Sequence, residues 1–279
     1  MRLGAGAIFI AGGFMGASTA LAADLPTKKP APPPPPALVV ASPWRFELTG
    51  YGWASSLAGN VGFGALPTLS YYASFGKVLE HFEGGLMGAV VARNGTYIVG
   101  LDVVWARVGG AGTARVERLP AGALGVDLTV GEGFATAFSG VRIPVGPPNL
   151  ELYGTVGARL MYSGTKVELA TPLGFNNTQS AYKTWVNPVA GIAGQYRFDD
   201  RWFMNVLADI GGWSDSATGQ ALASVGYNWT SNIATTLGYR GMYNYEKQDT
   251  GFNYVLFEPK SFRYQQWMYG PFVGFKYSF

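Results

Sequence analysis

The sequence predicts an all-β fold: a transmembrane antiparallel up-and-down β-barrel of about ten strands, with twelve or eight strands as alternatives. Two properties support this prediction. Charged residues make up 13% of the 279 residues while aromatic residues make up 15%, and a soluble domain usually carries about 25% charge. From residue 44 onward, apolar side chains also recur at every second position over long segments, as they do in a strand with one apolar face.

The composition limits the chemistry that the chain can perform. It contains no Cys and a single His, which excludes disulfides and zinc sites built from Cys and His. The formal charge of +3 is too small to indicate nucleic-acid binding. No glycine-rich phosphate loop or paired-carboxylate motif stands out, so we predict no catalytic residues, no cofactor and no bound metal.

Three regions follow one another along the chain. Residues 1–22 are predicted to be a signal peptide, because a basic residue precedes an uncharged apolar run that ends in small residues. A membrane anchor is the alternative, since about 20 apolar residues span a bilayer. Residues 23–43 are rich in proline and are predicted to form a periplasmic spacer in polyproline II conformation. Residues 44–279 keep one sequence texture and are predicted to be a single outer-membrane β-barrel domain.

Long alternating segments within 44–279 predict the strands. In 97–111, for example, apolar Val99 and Leu101 alternate with Gly100 and Asp102. Soluble strands average about 5–6 residues, so segments of roughly twice that length favour a lipid-facing barrel over a sandwich. Aromatic residues at the segment ends suit the two membrane interfaces. The predicted strands are 44–54, 85–93, 97–111, 126–143, 149–170, 182–198, 202–214, 219–228, 233–247 and 263–279.

The connections between these segments alternate in length, as they do in barrels with tight turns at one end and longer loops at the other. The short connections contain turn-forming residues and are 93–96, 146–149, 199–201 and 230–232. The longer connections are 55–84, 112–125, 171–181 and 248–262, and only the link 214–218 is shorter than this scheme requires.

The first long connection contains further periodic segments. Apolar residues at helical spacing predict a short helix over 75–82. A barrel of twelve strands would instead recruit 60–63 and 70–75 as an additional hairpin. With ten strands the count is even, which places both termini on the same side of the membrane.

Charged side chains fall on the strand faces opposite the apolar ones, so we predict that they point into the lumen. Such charges are costly in a dry core but ordinary in a wet or hydrogen-bonded barrel interior. They could line a pore or pair into a plug; because a barrel of about eight to ten strands is nearly filled by its own side chains, we expect a plugged or very narrow lumen. The predicted lumen charges are Glu47, Asp102, Glu151, Arg159, Arg197, Asp209, Arg240 and Lys276.

The last residues resemble the C-terminal signature of bacterial outer-membrane β-barrels. Phe279 is preceded at every second position by Tyr277, Phe275 and Val273, and the resemblance implies recognition by the barrel-assembly machinery. More broadly, the chain resembles small opacity-like or porin-like outer-membrane proteins of alphaproteobacteria over most of 44–279. The segments that carry this likeness are WRFELTGYGWA at 44–54, DDRWF at 199–203, ADIGG at 208–212 and TLGYR at 236–240.

These observations predict an integral outer-membrane β-barrel protein of a Gram-negative bacterium, with a structural, surface-interaction or weak porin role and no enzymatic activity. Both termini are expected in the periplasm. The expected partners are outer-membrane lipid and lipopolysaccharide, the barrel-assembly machinery and, through the proline-rich spacer, the cell wall. Aromatic residues in the long loops favour surface contacts; they are Tyr71, Tyr72, Phe252, Tyr254 and Phe257.

Two alternative functions remain open. His81 lies between Glu80 and Glu83 on the predicted loop helix and could be the base of a lipid hydrolase on a barrel scaffold, although a lone His near carboxylates on a loop is more often a solvated side chain. The second alternative is a secreted, soluble β-sandwich that binds a ligand.

Overall fold

The computed structural model describes residues 43–63, 69–114, 124–170, 176–253 and 258–279. The predicted signal peptide, and the proline-rich spacer up to residue 42, lie outside these ranges. The strands are β1 (Arg45–Trp53), β2 (Ser56–Phe63), β3 (Leu69–Ala73), β4 (Phe82–Arg93), β5 (Tyr97–Ala114), β6 (Leu124–Arg142), β7 (Leu150–Ala170), β8 (Asn176–Arg197), β9 (Trp202–Trp213), β10 (Ser216–Asn228), β11 (Ile233–Asn253) and β12 (Glu258–Ser278), and the helix is α1 (Phe75–Glu80).

Ten of these strands form a closed antiparallel barrel, which confirms the predicted fold and strand number. Going around the barrel, their order is β1, β4, β5, β6, β7, β8, β9, β10, β11 and β12, and β12 pairs back onto β1. At this closing seam Glu47 lies opposite Ser278 and Trp53 lies opposite Phe272. Each strand therefore has a hydrogen-bonded neighbour on both sides within the ring.

Two further strands lie outside the ring. After a break at Ala54 and Ser55, β2 continues the line of β1 along β12, with Leu57 opposite Met268, and β3 pairs with β2. The hairpin that a twelve-stranded barrel would have recruited from 60–63 and 70–75 therefore forms, but it extends the edge of β12 and does not enter the ring.

The predicted loop helix is present but shorter than 75–82. Its first backbone N–H, that of Phe75, donates to Ser56 Oγ at 3.1 Å. The helix ends at Glu80 because the His81 carbonyl oxygen accepts the N–H of Gly109 at 2.9 Å, which draws the following residues into β4. In the described part of the chain, no helix is long and apolar enough to cross a membrane.

The two ends of the barrel differ in their connections. At what we call the turn end, short turns join β4 to β5, β6 to β7, β8 to β9 and β10 to β11, and the first residue of β1 and the last of β12 lie there too. At the opposite loop end, β9 and β10 are joined by Ser214 and Asp215 alone, with Ser214 in a left-handed conformation at φ 56°. This connection corresponds to the predicted link 214–218, which is shorter than the other connections expected at this end of the barrel.

The strands at the loop end are longer than predicted. Parts of 112–125, 171–181 and 248–262 belong to strands, because β5 runs to Ala114, β8 begins at Asn176 and β11 runs to Asn253. β7, β8, β11 and β12 each contain 21 or 22 residues, whereas β9 and β10 contain 12 and 13. The wall of the barrel is therefore taller on some sides than on others.

Side chains alternate between an exposed outer face and a buried inner face. Large apolar residues dominate the outer face, and several are more than half exposed: Leu86, Val156, Val186, Ile210, Leu237 and Phe275. Exposed aromatic residues lie near the turn end at Trp44, Tyr97, Trp202, Trp229 and Tyr277, and others lie farther toward the loop end at Trp105, Trp213 and Trp267. An apolar belt edged by aromatic rings is the surface that a transmembrane barrel turns to lipid.

Candidate functional site

The lumen is crossed at mid-height by a network of hydrogen-bonded polar side chains, which we call the central network (Tyr51, Asp102, Arg159, Asp209, Gln220 and Arg240). One half of it is centred on Arg240 of β11. Its Nη2 donates to Asp102 Oδ2 on β5 at 2.6 Å and also to Gln220, and its Nη1 donates to the Tyr51 hydroxyl at 3.0 Å. Tyr51 in turn donates to Asp102 Oδ1 at 2.5 Å.

The other half is centred on Arg159 of β7, which has no exposed surface. Its Nη2 donates to both carboxylate oxygens of Asp209 at 2.8 Å. Its remaining donors reach Thr136 Oγ1 at 2.9 Å and Thr218 Oγ1 at 2.8 Å. A guanidinium presents its donors in a fixed planar fork, so four bonds in one plane hold this side chain in a single position.

Gln220 of β10 joins the two halves. Its Nε2 donates to Asp209 Oδ2 at 2.6 Å, and its Oε1 accepts from Arg240. Around the ring, β5 and β11 are separated by three strands on one side and five on the other, so the bond from Arg240 to Asp102 runs across the lumen. The central network therefore bridges opposite walls of the barrel.

Apolar and aromatic side chains pack around the central network. The Arg240 guanidinium lies 5.2 Å from the ring centroid of Trp53 and 4.8 Å from that of Phe134, within the range of cation–π contacts. The largest buried apolar cluster lies here too and consists of Trp53, Val104, Phe134, Met161, Trp185, Met242, Tyr264, Met268 and Phe272. Aromatic and charged groups thus pack together in this part of the lumen.

A second group of charges, the turn-end network (Glu47, Arg93, Glu151, Arg197 and Lys276), lies near the turn end. Arg93 pairs with Glu47, approaches Glu151 Oε2 at 3.6 Å, and donates to Gln195 Oε1 at 3.0 Å. Arg197 donates to the other oxygen of Glu151 at 3.2 Å. Lys276 Nζ lies 3.4 Å from Glu47 Oε1.

The lumen also contains polar groups nearer the loop end. Glu132 accepts from the Ser163 hydroxyl at 2.8 Å and from the Tyr264 hydroxyl at 2.9 Å. Lys183 of β8 and Glu246 of β11 form an ion pair at 2.9 Å. Polar contacts between strands therefore recur at three heights of the barrel.

The eight charges predicted for the lumen separate into these networks. Asp102, Arg159, Asp209 and Arg240 meet in the central network, while Glu47, Glu151, Arg197 and Lys276 meet in the turn-end network. Sequence reasoning missed Arg93, Glu132, Lys183, Gln220 and Tyr51. Strand parity could have found Arg93, because it falls on the same face of β4 as Val91 and opposite the exposed Val90.

A cleft opens at the turn end beside the turn-end network. Its volume is about 290 Å³, and its lining includes Trp44, Arg45, Arg93, Arg197 and Glu151. The Arg93 Nε atom is buried and has no hydrogen-bond partner among the described residues.

The structure places His81 at the end of α1, on the exposed side of the loop end. Among the described residues, the hydrogen bond made by its ring is between Nδ1 and the Lys77 carbonyl oxygen, at 3.0 Å. Neighbouring Glu83 is paired with Arg107 at 2.7 Å. Within the described ranges, no three His, Asp or Glu side chains group as a metal site would require.

The residues of the predicted assembly signal lie on β12 and, for Phe279, directly after it. Val273, Phe275, Tyr277 and Phe279 are exposed. Phe279 also closes the seam, since its backbone N–H and carbonyl exchange hydrogen bonds of 2.9 Å with Phe46, and the two rings stack at 5.6 Å.

Solved structures that are similar to this chain include outer-membrane proteins. The outer membrane protease OmpT from Escherichia coli has a TM-score of 0.58 and 11% sequence identity, over 85% of this chain and 97% of that one. Weaker likenesses are to the translocator domain of the autotransporter NalP from Neisseria meningitidis (TM-score 0.39, 12% identity, 86% and 90% of the two chains) and to Ail, the attachment invasion locus protein of Yersinia pestis (TM-score 0.33, 14% identity, 85% and 99%).

No protein-family model and no curated protein matches the chain. At such low identity, the likeness to OmpT concerns the fold and not the activity. The protein therefore has the fold of bacterial outer-membrane β-barrels.

Proposed function

We propose that this protein is a closed outer-membrane barrel that anchors its loop-end hairpins at the cell surface and does not act as a general pore. The observation that carries the proposal is the central network, in which Arg240 and Asp102 bond across the lumen at 2.6 Å and Gln220 connects them to Arg159 and Asp209. Solutes would have to displace buried, mutually bonded charges to pass.

The outer surface supports a membrane location. So many exposed apolar side chains, Ile210 and Leu237 among them, would be unfavourable in water, whereas the outer face of a barrel in lipid requires them. The expected surroundings are outer-membrane lipid and lipopolysaccharide. We propose the outward row Val273, Phe275, Tyr277 and Phe279 as the segment that the barrel-assembly machinery recognises.

The long strands support a role in surface contact. A tilted strand needs about 9–11 residues to cross the hydrocarbon core, and β7 and β8 contain 21 and 22. Their additional residues extend the barrel wall beyond the membrane at the loop end. Tyr72 on β3 is 64% exposed in the same region, while Tyr254 and Phe257 lie outside the described residues.

We also propose an orientation in the membrane and a family for this protein. With short turns and both strand termini at one end, we place the turn end in the periplasm and the loop end outside the cell. The motifs at 44–54, 199–203, 208–212 and 236–240 support membership of the opacity-like or porin-like proteins of alphaproteobacteria. The proposed role is not enzymatic, which is consistent with the His81 ring bonding to a backbone carbonyl oxygen.

Planar-bilayer recording of the purified protein tests the closed state. We expect the wild-type barrel to give no stable ohmic current after insertion has been verified by vesicle flotation. Asp102→Ala removes an acceptor that Arg240 and Tyr51 share and is expected to produce a leak. The control Glu83→Ala removes an exposed carboxylate and should remain silent. A stable channel in the unmutated protein would reject the closed barrel in favour of a porin.

A further inference from the structure

The cleft at the turn end brings arginine side chains together on the inner face of the barrel. Arg45 of β1 lies directly opposite Arg93 of β4 in the strand register. Side chains that are directly opposite on one face have Cβ atoms about 4.5–5.5 Å apart, and like charges in such a pair repel each other. Both residues line the cleft, together with Arg197.

The carboxylates nearby do not satisfy these arginines completely. Arg93 is 7% exposed and pairs with Glu47, yet its buried Nε–H has no acceptor in the part of the chain that the structure describes. Glu151, the carboxyl side chain that lines the cleft, is already shared between Arg93 and Arg197. Arg45 is exposed and forms no ion pair with the described part of the chain. The exposed Arg45 guanidinium therefore lies in the cleft beside Arg93, a buried arginine whose own donors are incompletely satisfied.

We propose that this cleft binds a carboxylate group of a cell-wall peptide. The inference rests on the proposed function, because it requires the turn end to face the periplasm, where the cell wall lies. A planar carboxylate can accept two parallel N–H bonds from an arginine fork. A bound carboxylate would also relieve the repulsion between Arg45 and Arg93.

The size of the cleft suits a short peptide terminus. A volume of about 290 Å³ is at the lower limit of small-molecule sites, which span roughly 300–1,000 Å³. Trp44 and Phe279 contribute to the rim of the cleft, while their rings lie on the outer face of the barrel. The cleft therefore fits a terminal carboxylate with one or two residues attached, and not a length of glycan strand.

Co-sedimentation with intact Gram-negative peptidoglycan sacculi tests this inference on the full-length mature protein in detergent. Arg45→Gln removes the unpaired guanidinium without breaking a buried ion pair, whereas a change at Arg93 would leave Glu47 unpaired. Arg201→Gln is the matched control, because Arg201 is an exposed arginine on another turn of the same end, where it donates to the Tyr227 hydroxyl at 2.8 Å. The soluble competitors are acetyl-D-alanyl-D-alanine, its C-terminal amide and inorganic phosphate.

We expect the wild type and Arg201→Gln to sediment equally, and Arg45→Gln to bind about tenfold more weakly, as expected for the loss of one charge-assisted hydrogen bond. The free-acid dipeptide should displace the protein, and the amide should not. Three results would overturn the inference: unchanged binding by Arg45→Gln, equal loss in both variants, or displacement by phosphate as effective as by the dipeptide acid. If the wild-type protein gives no current in the bilayer but does not bind sacculi, this inference alone is rejected. If it binds sacculi but forms a stable channel, the proposed closed barrel alone is rejected.

Discussion

Arg159 and Arg240 are charged side chains with almost no exposed surface. Burying a guanidinium costs several kcal/mol unless its donors are satisfied by well-placed acceptors. Arg159 meets this condition with two threonine hydroxyls and both oxygens of Asp209. The stability of the barrel is therefore sensitive to single atoms of this network.

The Arg159→Ala variant is expected to lower the free energy of unfolding by roughly 3–5 kcal/mol, because Asp209 loses its cation while remaining buried. Urea titration of the detergent-folded barrel, followed by tryptophan fluorescence, measures this change. Arg107→Ala is the control: Arg107 pairs with Glu83 at 2.7 Å, but its side chain is 49% exposed, so the loss should be about 0–1 kcal/mol. Equal small losses in both variants would mean that water fills the lumen and screens Arg159.

Asp199 makes a different, local contribution in the turn between β8 and β9. Its Oδ1 accepts the backbone N–H groups of Trp202 and Arg201, both at 2.7 Å, and these bonds to the charged form hold the pKa of Asp199 below its ordinary value of 3.8. The carboxylate thus stabilises the turn above pH 3.8, and this contribution is lost as the pH falls through the lowered pKa.

We expect an NMR titration of the Asp199 carboxyl carbon in micelles to give a midpoint below 3.8. Asp199→Asn keeps an oxygen acceptor but no longer titrates, so the amide shifts of Arg201 and Trp202 should become independent of pH in this range. A midpoint at or above the ordinary value would show that the turn does not hold these hydrogen bonds in solution.

Strand parity predicts which residues face the lumen but not which of them pair. Asp102 and Arg240 each alternate with apolar neighbours, so their orientation could be read from the sequence. Their pairing joins positions 138 residues apart and depends on how the ring closes. Gln220 and Tyr51 were missed for a different reason: an uncharged side chain gives no sign in the sequence that it connects two buried charges.

Among the elements, the final strand carries the closing seam of the barrel. β12 pairs with β1 over Glu47–Trp53 and with β11 over nearly its whole length. The Phe279 backbone exchanges two hydrogen bonds with Phe46, and its ring stacks on the Phe46 ring. The segment proposed for recognition during assembly is thus also the segment that completes the ring.

Replacing Phe279 with Asp, or deleting residues 277–279, is expected to block insertion and expose the chain to periplasmic proteases. The Asp variant places a charge on the outer face, where lipid contact is required. Immunoblots of outer-membrane fractions measure the effect, with Phe279→Leu as the apolar control that should accumulate normally. Wild-type levels of the truncated protein would refute the assembly role.

The sequence predicts strands well where apolar and polar residues alternate and poorly where they do not. A strand that faces lipid must have one apolar face, so apolar residues such as Val99 and Leu101 alternate clearly with residues such as Gly100 and Asp102. Polar or glycine-rich stretches such as 112–114 and 176–181 show no such alternation in the sequence, although β5 and β8 continue through them. The hairpin of β2 and β3 shows the same difficulty, because pairing with β12 decides its place.

For the whole molecule, closure of the ring has a consequence for stability. Every strand of the ten-stranded ring has two hydrogen-bonded neighbours, so the ring offers no unpaired edge at which unfolding could begin. Detergent replaces lipid around the outer face without competing for these backbone hydrogen bonds. The folded barrel should therefore persist in sodium dodecyl sulfate until heat breaks the ladder cooperatively.

We expect the unboiled protein to migrate faster than the boiled protein in a detergent gel, because the closed barrel is more compact than the extended, detergent-coated chain. A sample unfolded in urea and not refolded is the control and should run at the slower position with or without boiling. Arg159→Ala should convert to the slow form at a lower temperature than Arg107→Ala, since it loses buried contacts at the centre of the ring. Identical mobility of the boiled and unboiled wild type would argue against a closed barrel and restore the soluble sandwich as the alternative.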